Sequence, residues 1–325
     1  MRFLQIEIGK FKHYFLNLIL IWLVFLLYKT LPFYVNFIKK DSLNTIFYLA
    51  LAYTIVAFFF YLFTPYHKVK ETKGTLILKA IKNFPSLNKE EKTAILFVIV
   101  KIFFLPIMLN FFFSNLGSFR YQIPNISNTA FSIEGFNLIL FPFLLTTIFM
   151  IDTLYFAFGY AVEAGFLKNK IISVEPTFLG WFVALVCYPP FNSLVTKYTR
   201  WYANDYISFS SISLTFAIKL VIILLLFVYL EATIALGTRC SNLTNRGIVS
   251  KGPYAIIRHP AYISKNLAWW LTIIPIASLP AIASMSIWSF IYHLRTITEE
   301  RHLSQDPNYI AYKNKVKYRY IPGIY

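Results

Sequence analysis

Long apolar runs separated by short basic clusters set the pattern of this chain. About 20 consecutive apolar residues cross a bilayer as a helix. On that measure spans are expected near 14–36, 45–65, 93–114, 136–163, 178–198 and 210–236. The next apolar stretch, 263–294, is interrupted by Pro275 and Pro280. Prolines this close stop a helix more readily than they bend it twice. Each arm of roughly 14–16 residues would reach ~21–24 Å at 1.5 Å per residue. The expectation is a hairpin that returns Glu299 to the side of His259. The fold class is then all-α, a polytopic membrane bundle of about eight membrane-embedded helices. Within the loop 66–92, Thr75 to Phe84 alternates apolar and basic positions. That suits a short helix lying on a membrane surface, or equally a solvated connector with a basic face. No internal repeat or Gly/Ser linker divides the chain, so its parts are expected to differ by role: a six-span region over 1–236 and a C-terminal region over 237–325.

Composition narrows the class. Of 325 residues, 58% are hydrophobic, 19% aromatic and 14% charged. A soluble protein of this size needs far more polar surface. The formal charge of +17 would point to nucleic acid in a soluble protein. In a membrane protein it has a simpler source, because Lys and Arg collect in cytoplasmic loops. With both termini cytoplasmic, segments 2–12, 68–92, 168–170, 239–258 and 295–319 carry 22 basic residues, against 5 at Lys39, Lys40, Arg120, Lys197 and Arg200 on the other side. Arg2, Lys10 and Lys12 precede an apolar run as in a signal peptide, but no small-residue cleavage site follows, and a retained helix is expected. Cys187 and Cys240 fall on opposite sides of an expected span, without metal-ligand spacing.

The candidate chemistry lies near the C-terminus. Gly252-Pro253-Tyr254 is followed by Arg258-His259-Pro260 and Tyr262; beyond the hairpin come Glu299-Glu300, Leu303, Tyr309, Tyr312, Val316 and Ile321-Pro322. Ionisable groups beside a membrane span are costly to keep, so their default reading is functional. This pattern, over roughly 237–322, resembles the C-terminal signature of the isoprenylcysteine carboxyl methyltransferase and phospholipid methyltransferase superfamily. The resemblance implies an integral membrane enzyme that uses S-adenosyl-L-methionine. It implies cofactor roles for Tyr254, Arg258, His259, Pro260, Tyr262, Glu299 and Glu300. Methyl transfer from a sulfonium is an in-line displacement, so positioning and water exclusion matter most. A carboxylate acceptor needs no base; for an amine or thiol, His259 is the nearest candidate, with Arg258 beside it. One departure is visible: Asp306-Pro307-Asn308 stands where family members often carry a glycine.

The loop 241–247 is polar and ends in glycine, which suits a cover over the cofactor, with Asn245 and Arg246 as contacts. Substrate specificity is expected in the first six spans. Asp152 falls near the middle of the fourth, and Lys101 in the third is its expected partner. Trp269 and Trp270 either wall the acceptor's tail or simply pack. Tyr188-Pro189-Pro190-Phe191 breaks the fifth span and is a candidate lipid entrance. The acceptor is expected to be a lipid or a prenylated or small lipophilic molecule, and the location a bacterial inner membrane or an endoplasmic reticulum. Competing readings are a nicotinamide-dependent membrane reductase of sterol-reductase-like architecture and a non-catalytic scaffold or transporter.

Overall fold

Apolar periodicity becomes helix almost throughout. The computed structural model describes residues 2–65, 69, 71–126, 128–204 and 207–324; Lys68 and Lys70 of the basic loop lie outside them. Among the described residues, five helices are long and apolar enough to cross a membrane: Gly9–Thr30, Lys40–Phe63, Lys89–Asn125, Ile133–Ala161 and Ile212–Arg239. The chain divides into two compact units, Met1–Asn110 and Phe111–Tyr325.

The first unit holds α1 (Arg2–Thr30), α2 (Pro32–Phe37), α3 (Lys40–Phe63), α4 (Lys73–Asn83) and most of α5 (Lys89–Gln122). Helices α1 and α3 pair side by side: Trp22 Nε1 donates to Thr54 Oγ1 at 3.2 Å and Tyr14 to the Thr54 carbonyl at 3.0 Å. Pro106 lies inside α5. A helical proline has no N–H, so the carbonyl four residues earlier loses its donor. That carbonyl belongs to Ile102, and the hydroxyls of Tyr28 and Tyr34 donate to it at 3.0 and 3.2 Å. In lipid such a group must find a partner within the protein. The stretch read as either surface helix or connector forms α4, capped by Thr72 and buried along Gly74, Thr75, Leu76 and Ala80.

The second unit carries the motif region. After Ser132 come α6 (Ile133–Gly135), a wide turn over Phe136–Leu140 and α7 (Phe141–Ala161). The strand β1 (Ser173–Val174) pairs antiparallel with β2 (Thr244–Asn245), Ser173 opposite Asn245. The single span expected over 178–198 does not form. Instead α8 (Phe178–Leu185) and α9 (Phe191–Thr196) are separate short helices around Pro189 and Pro190. Two consecutive residues without N–H donors end the ladder. The long α10 (Ile212–Leu236) packs against α7 and α11 (Pro260–Ile273), burying Phe141, Leu145, Ile148, Ile222, Leu226 and Ala268.

The segment after Tyr262 doubles back. Helix α11 starts with Pro260 in its first turn, where a missing N–H is harmless. It ends in a tight turn over Ile274–Ile276 that contains Pro275. Ser278 then caps α12 (Leu279–Leu303), which has Pro280 in its own first turn and returns beside α11. The last helix is α13 (Pro307–Lys315).

Candidate functional site

The hairpin brings the two halves of the motif together and then separates their tasks. Glu299 and Glu300 are adjacent on α12, so their side chains leave the helix about 100° apart. Glu300 is the centre of a buried ion cluster. Its Oε1 accepts from Arg258 Nε at 2.8 Å, from His259 Nε2 at 3.0 Å and from Arg319 Nε at 3.1 Å. Its Oε2 takes Arg319 Nη2 at 3.0 Å, with the Lys313 ammonium 3.5 Å away. Arg258 also donates to the carbonyls of Val316 and Lys317, and the backbone N–H groups of Arg258 and His259 donate to Tyr318 and Arg319. The Arg-His-Pro loop, the end of α12 and the C-terminal tail are thereby joined at one carboxylate.

Glu299 faces elsewhere. Its Oε2 accepts from the Tyr262 hydroxyl at 2.8 Å, and both residues line a cavity of about 980 Å³, its open mouth included. Helix α10 contributes Tyr229 and Thr233, α11 contributes Tyr262 and Lys265, and α12 contributes Tyr292, Arg295, Glu299 and His302. Tyr254, the loop from Ser241 to Thr244, and Glu175, Gly180, Ala184 and Tyr188 also line it, as does Phe156 of α7. Arg295 stacks on Tyr292 and Tyr262, its carbon centre 5.1 and 5.4 Å from the rings, and donates to Asn242 Oδ1 at 3.0 Å. The Lys265 ammonium lies among Tyr229, Phe149 and Trp269 at 4.9, 5.3 and 5.3 Å. Burial, with the Glu299 charge adding to it, holds the Tyr254 hydroxyl well above its ordinary pKa, so it stays a neutral donor.

Of the residues expected at the cofactor, Tyr254, Tyr262 and Glu299 line this cavity. Arg258, His259 and Glu300 belong to the ion cluster, and Pro260 is buried at the start of α11. Asn245 and Arg246 hold their loop. Asn245 Nδ2 donates to Asp306 Oδ2 at 2.9 Å, and Arg246 Nη1 donates to the Asn169 carbonyl at 3.1 Å. Burial raises the Asp306 carboxyl, but hydrogen bonds from Asn245 and Asn308 outweigh it and leave the group below its usual range. Trp269 joins Trp201 and Met285 in an aromatic cluster, and Trp270 donates to Ser289 Oγ at 2.9 Å. Asp152 is buried and accepts from Thr233 Oγ1 at 2.7 Å, with the Lys265 charge acting on it. Lys101, expected from the sequence as its partner, lies 5.8 Å from the Phe97 ring. Cavity residues missed from the sequence divide into two kinds. Arg295 and Lys265 sit four before Glu299 and three after Tyr262, spacings that share a helix face. Glu175 comes from a distant segment and carries no comparable signal; Tyr188, expected at a lipid entrance, lines the same cavity.

A family model described as phospholipid methyltransferase matches residues 211–306, less than a third of the chain, and that segment includes α10 and the hairpin. This family belongs to the superfamily that the motif resembles. No curated protein and no solved structure matches the chain.

Proposed function

We propose that this protein is an integral membrane methyltransferase that moves a methyl group from S-adenosylmethionine to a lipophilic acceptor at the cytoplasmic face. The observation that carries this reading is the cavity between α10, α11 and α12, lined mostly from within the segment that matches a methyltransferase family. Its donor set fits the proposed cofactor. Glu299 offers a carboxylate to hydroxyl or ammonium groups, Tyr254 a neutral hydroxyl, Arg295 further N–H donors, and Tyr188, Tyr262 and Tyr292 flat apolar rings. S-adenosylmethionine supplies an electrophilic methyl on a cationic sulfur.

The chain's own work is binding, alignment and exclusion of water. Tyr262 orients Glu299 through its hydroxyl, while Arg258, His259 and Glu300 position the loop that carries Tyr254 and the start of α11. A carboxylate acceptor would react without a base. An amine or thiol would need one, and His302 is the imidazole on the cavity wall. Residues upstream of 237 supply Phe156, Tyr188, Tyr229 and Thr233 to the same wall, which suits an acceptor side built from the earlier helices. The basic residues collected on one side of the spans support a reaction at the cytoplasmic face.

The test is transfer of tritiated methyl from S-adenosylmethionine to a lipid extract by the purified full-length protein in nanodiscs. Label in the organic phase is the expected result. Absence of both transfer and S-adenosylhomocysteine binding overturns the reading, and NADPH oxidation in its place would select the reductase.

A further inference from the structure

One carboxylate on the cavity wall lies outside both the motif and the matched segment. Glu175 follows β1 and precedes α8, and its side chain is 3% exposed. Its two oxygens are in different situations. Oε1 is fully engaged, accepting from the Thr177 backbone N–H at 2.9 Å, the Thr177 hydroxyl at 2.5 Å and Arg301 Nη2 at 3.1 Å. Oε2 is sealed from solvent and has no hydrogen-bond partner among the described residues. A buried acceptor left unpaired is expensive, and native proteins seldom leave one without a reason.

The local sequence makes room for this carboxylate. A Cβ at Gly180 would fall 2.3 Å from Glu175 Cγ and 2.5 Å from Cδ, so a glycine within α8 lets the carboxyl lie against the helix. Gly180 and Glu175 both line the cavity, with His302 and Glu299 from α12. Thr177 also caps α8, accepting from the Gly180 N–H at 3.2 Å, so the turn that fixes Oε1 is structural on its own account. The turn uses one oxygen; the other is left over.

We propose that Glu175 is a second carboxylate of the nucleoside site, its Oε2 accepting a hydrogen bond from an ammonium or hydroxyl group of the bound methyl donor. The proposal rests on the methyltransferase reading above and adds to it a recognition residue from the β1–α8 segment. That segment is tied to the motif region by the β1–β2 pairing, by Ser173 with His302 at 2.8 Å and by Arg301.

Calorimetric titration of S-adenosylhomocysteine into the full-length protein tests it. Wild type should bind, and Glu175→Gln, which preserves size and can still accept from Thr177, should weaken binding about tenfold, as loss of a charged hydrogen-bond acceptor does. Thr177→Val removes the hydroxyl that fixes Oε1 but leaves the carboxylate; it should lower thermal stability and leave affinity within about twofold of wild type. Wild-type affinity in Glu175→Gln overturns the proposal, as does an equal loss of affinity in Thr177→Val, which would make the residue purely structural. Methylthioadenosine, which lacks the amino-acid tail, separates the two donor groups. A loss confined to S-adenosylhomocysteine assigns Oε2 to the ammonium, and a loss with both ligands assigns it to the nucleoside hydroxyls. If wild type binds neither ligand, the methyltransferase reading itself fails, an outcome distinct from a Glu175→Gln protein that binds normally.

Discussion

Glu299 and Glu300 are neighbours in sequence and opposite in circumstance. Glu300 is surrounded by Arg258, His259 and Arg319 and ties three chain segments together. Glu299 takes one hydroxyl from Tyr262 and stands at a cavity wall. The difference teaches that a conjunction of charged residues beside a membrane span can hold two jobs. One carboxylate closes the fold around the motif, and the other faces a cavity. A buried carboxylate with several cationic partners is worth most as an intact set, because removing one member strands the others.

The comparison can be broken by experiment. Glu300→Ala should have the largest effect, a destabilisation of about 3–5 kcal/mol, because it leaves Arg258 buried opposite no anion. Thermal denaturation in detergent would read it, and a normal melting curve would refute the anchoring role. Glu299→Gln should be nearly silent in that assay and weaken S-adenosylhomocysteine binding about tenfold. If the two variants exchange their phenotypes, the assignment of tasks is inverted. Tyr262→Phe removes only the hydroxyl that orients Glu299, so a loss of about 1 kcal/mol in binding is expected, again with little change in melting.

The smallest effect concerns Asp306. Its carboxyl titrates below its usual range in the folded protein, so the contact with Asn245 contributes fully above the unfolded value of about 3.9 and is lost as pH falls through the folded one. Asp306→Asn should therefore lower the melting temperature slightly at pH 7 and make no difference under strongly acid conditions. A difference that persists in acid would show that the contact does not depend on the charge.

The hairpin was legible because Pro275 and Pro280 stop helices by removing donors, a local effect that needs no knowledge of neighbours. The failure of the expected 178–198 span has the same cause in Pro189 and Pro190, a signal present in the sequence and read there as an interruption. Arg295 was within reach through its four-residue spacing from Glu299. Glu175 was not, because only the β1–β2 pairing and the packing of α8 bring it to the site. Asp152 accepts from Thr233, a hydroxyl that no charge pattern would select, and the charge acting on it comes from Lys265.

The order of apolar runs, proline breaks and basic loops determined by itself that the chain is a helical membrane bundle with a C-terminal hairpin, since hydrocarbon admits no unsatisfied backbone and proline supplies none of the missing bonds. Which carboxylate locks the fold and which faces the cavity was decided only in three dimensions. A rotation of 100° between consecutive helical residues, and the tail that returns Arg319 to one of them, separates two side chains that are chemically identical in the sequence.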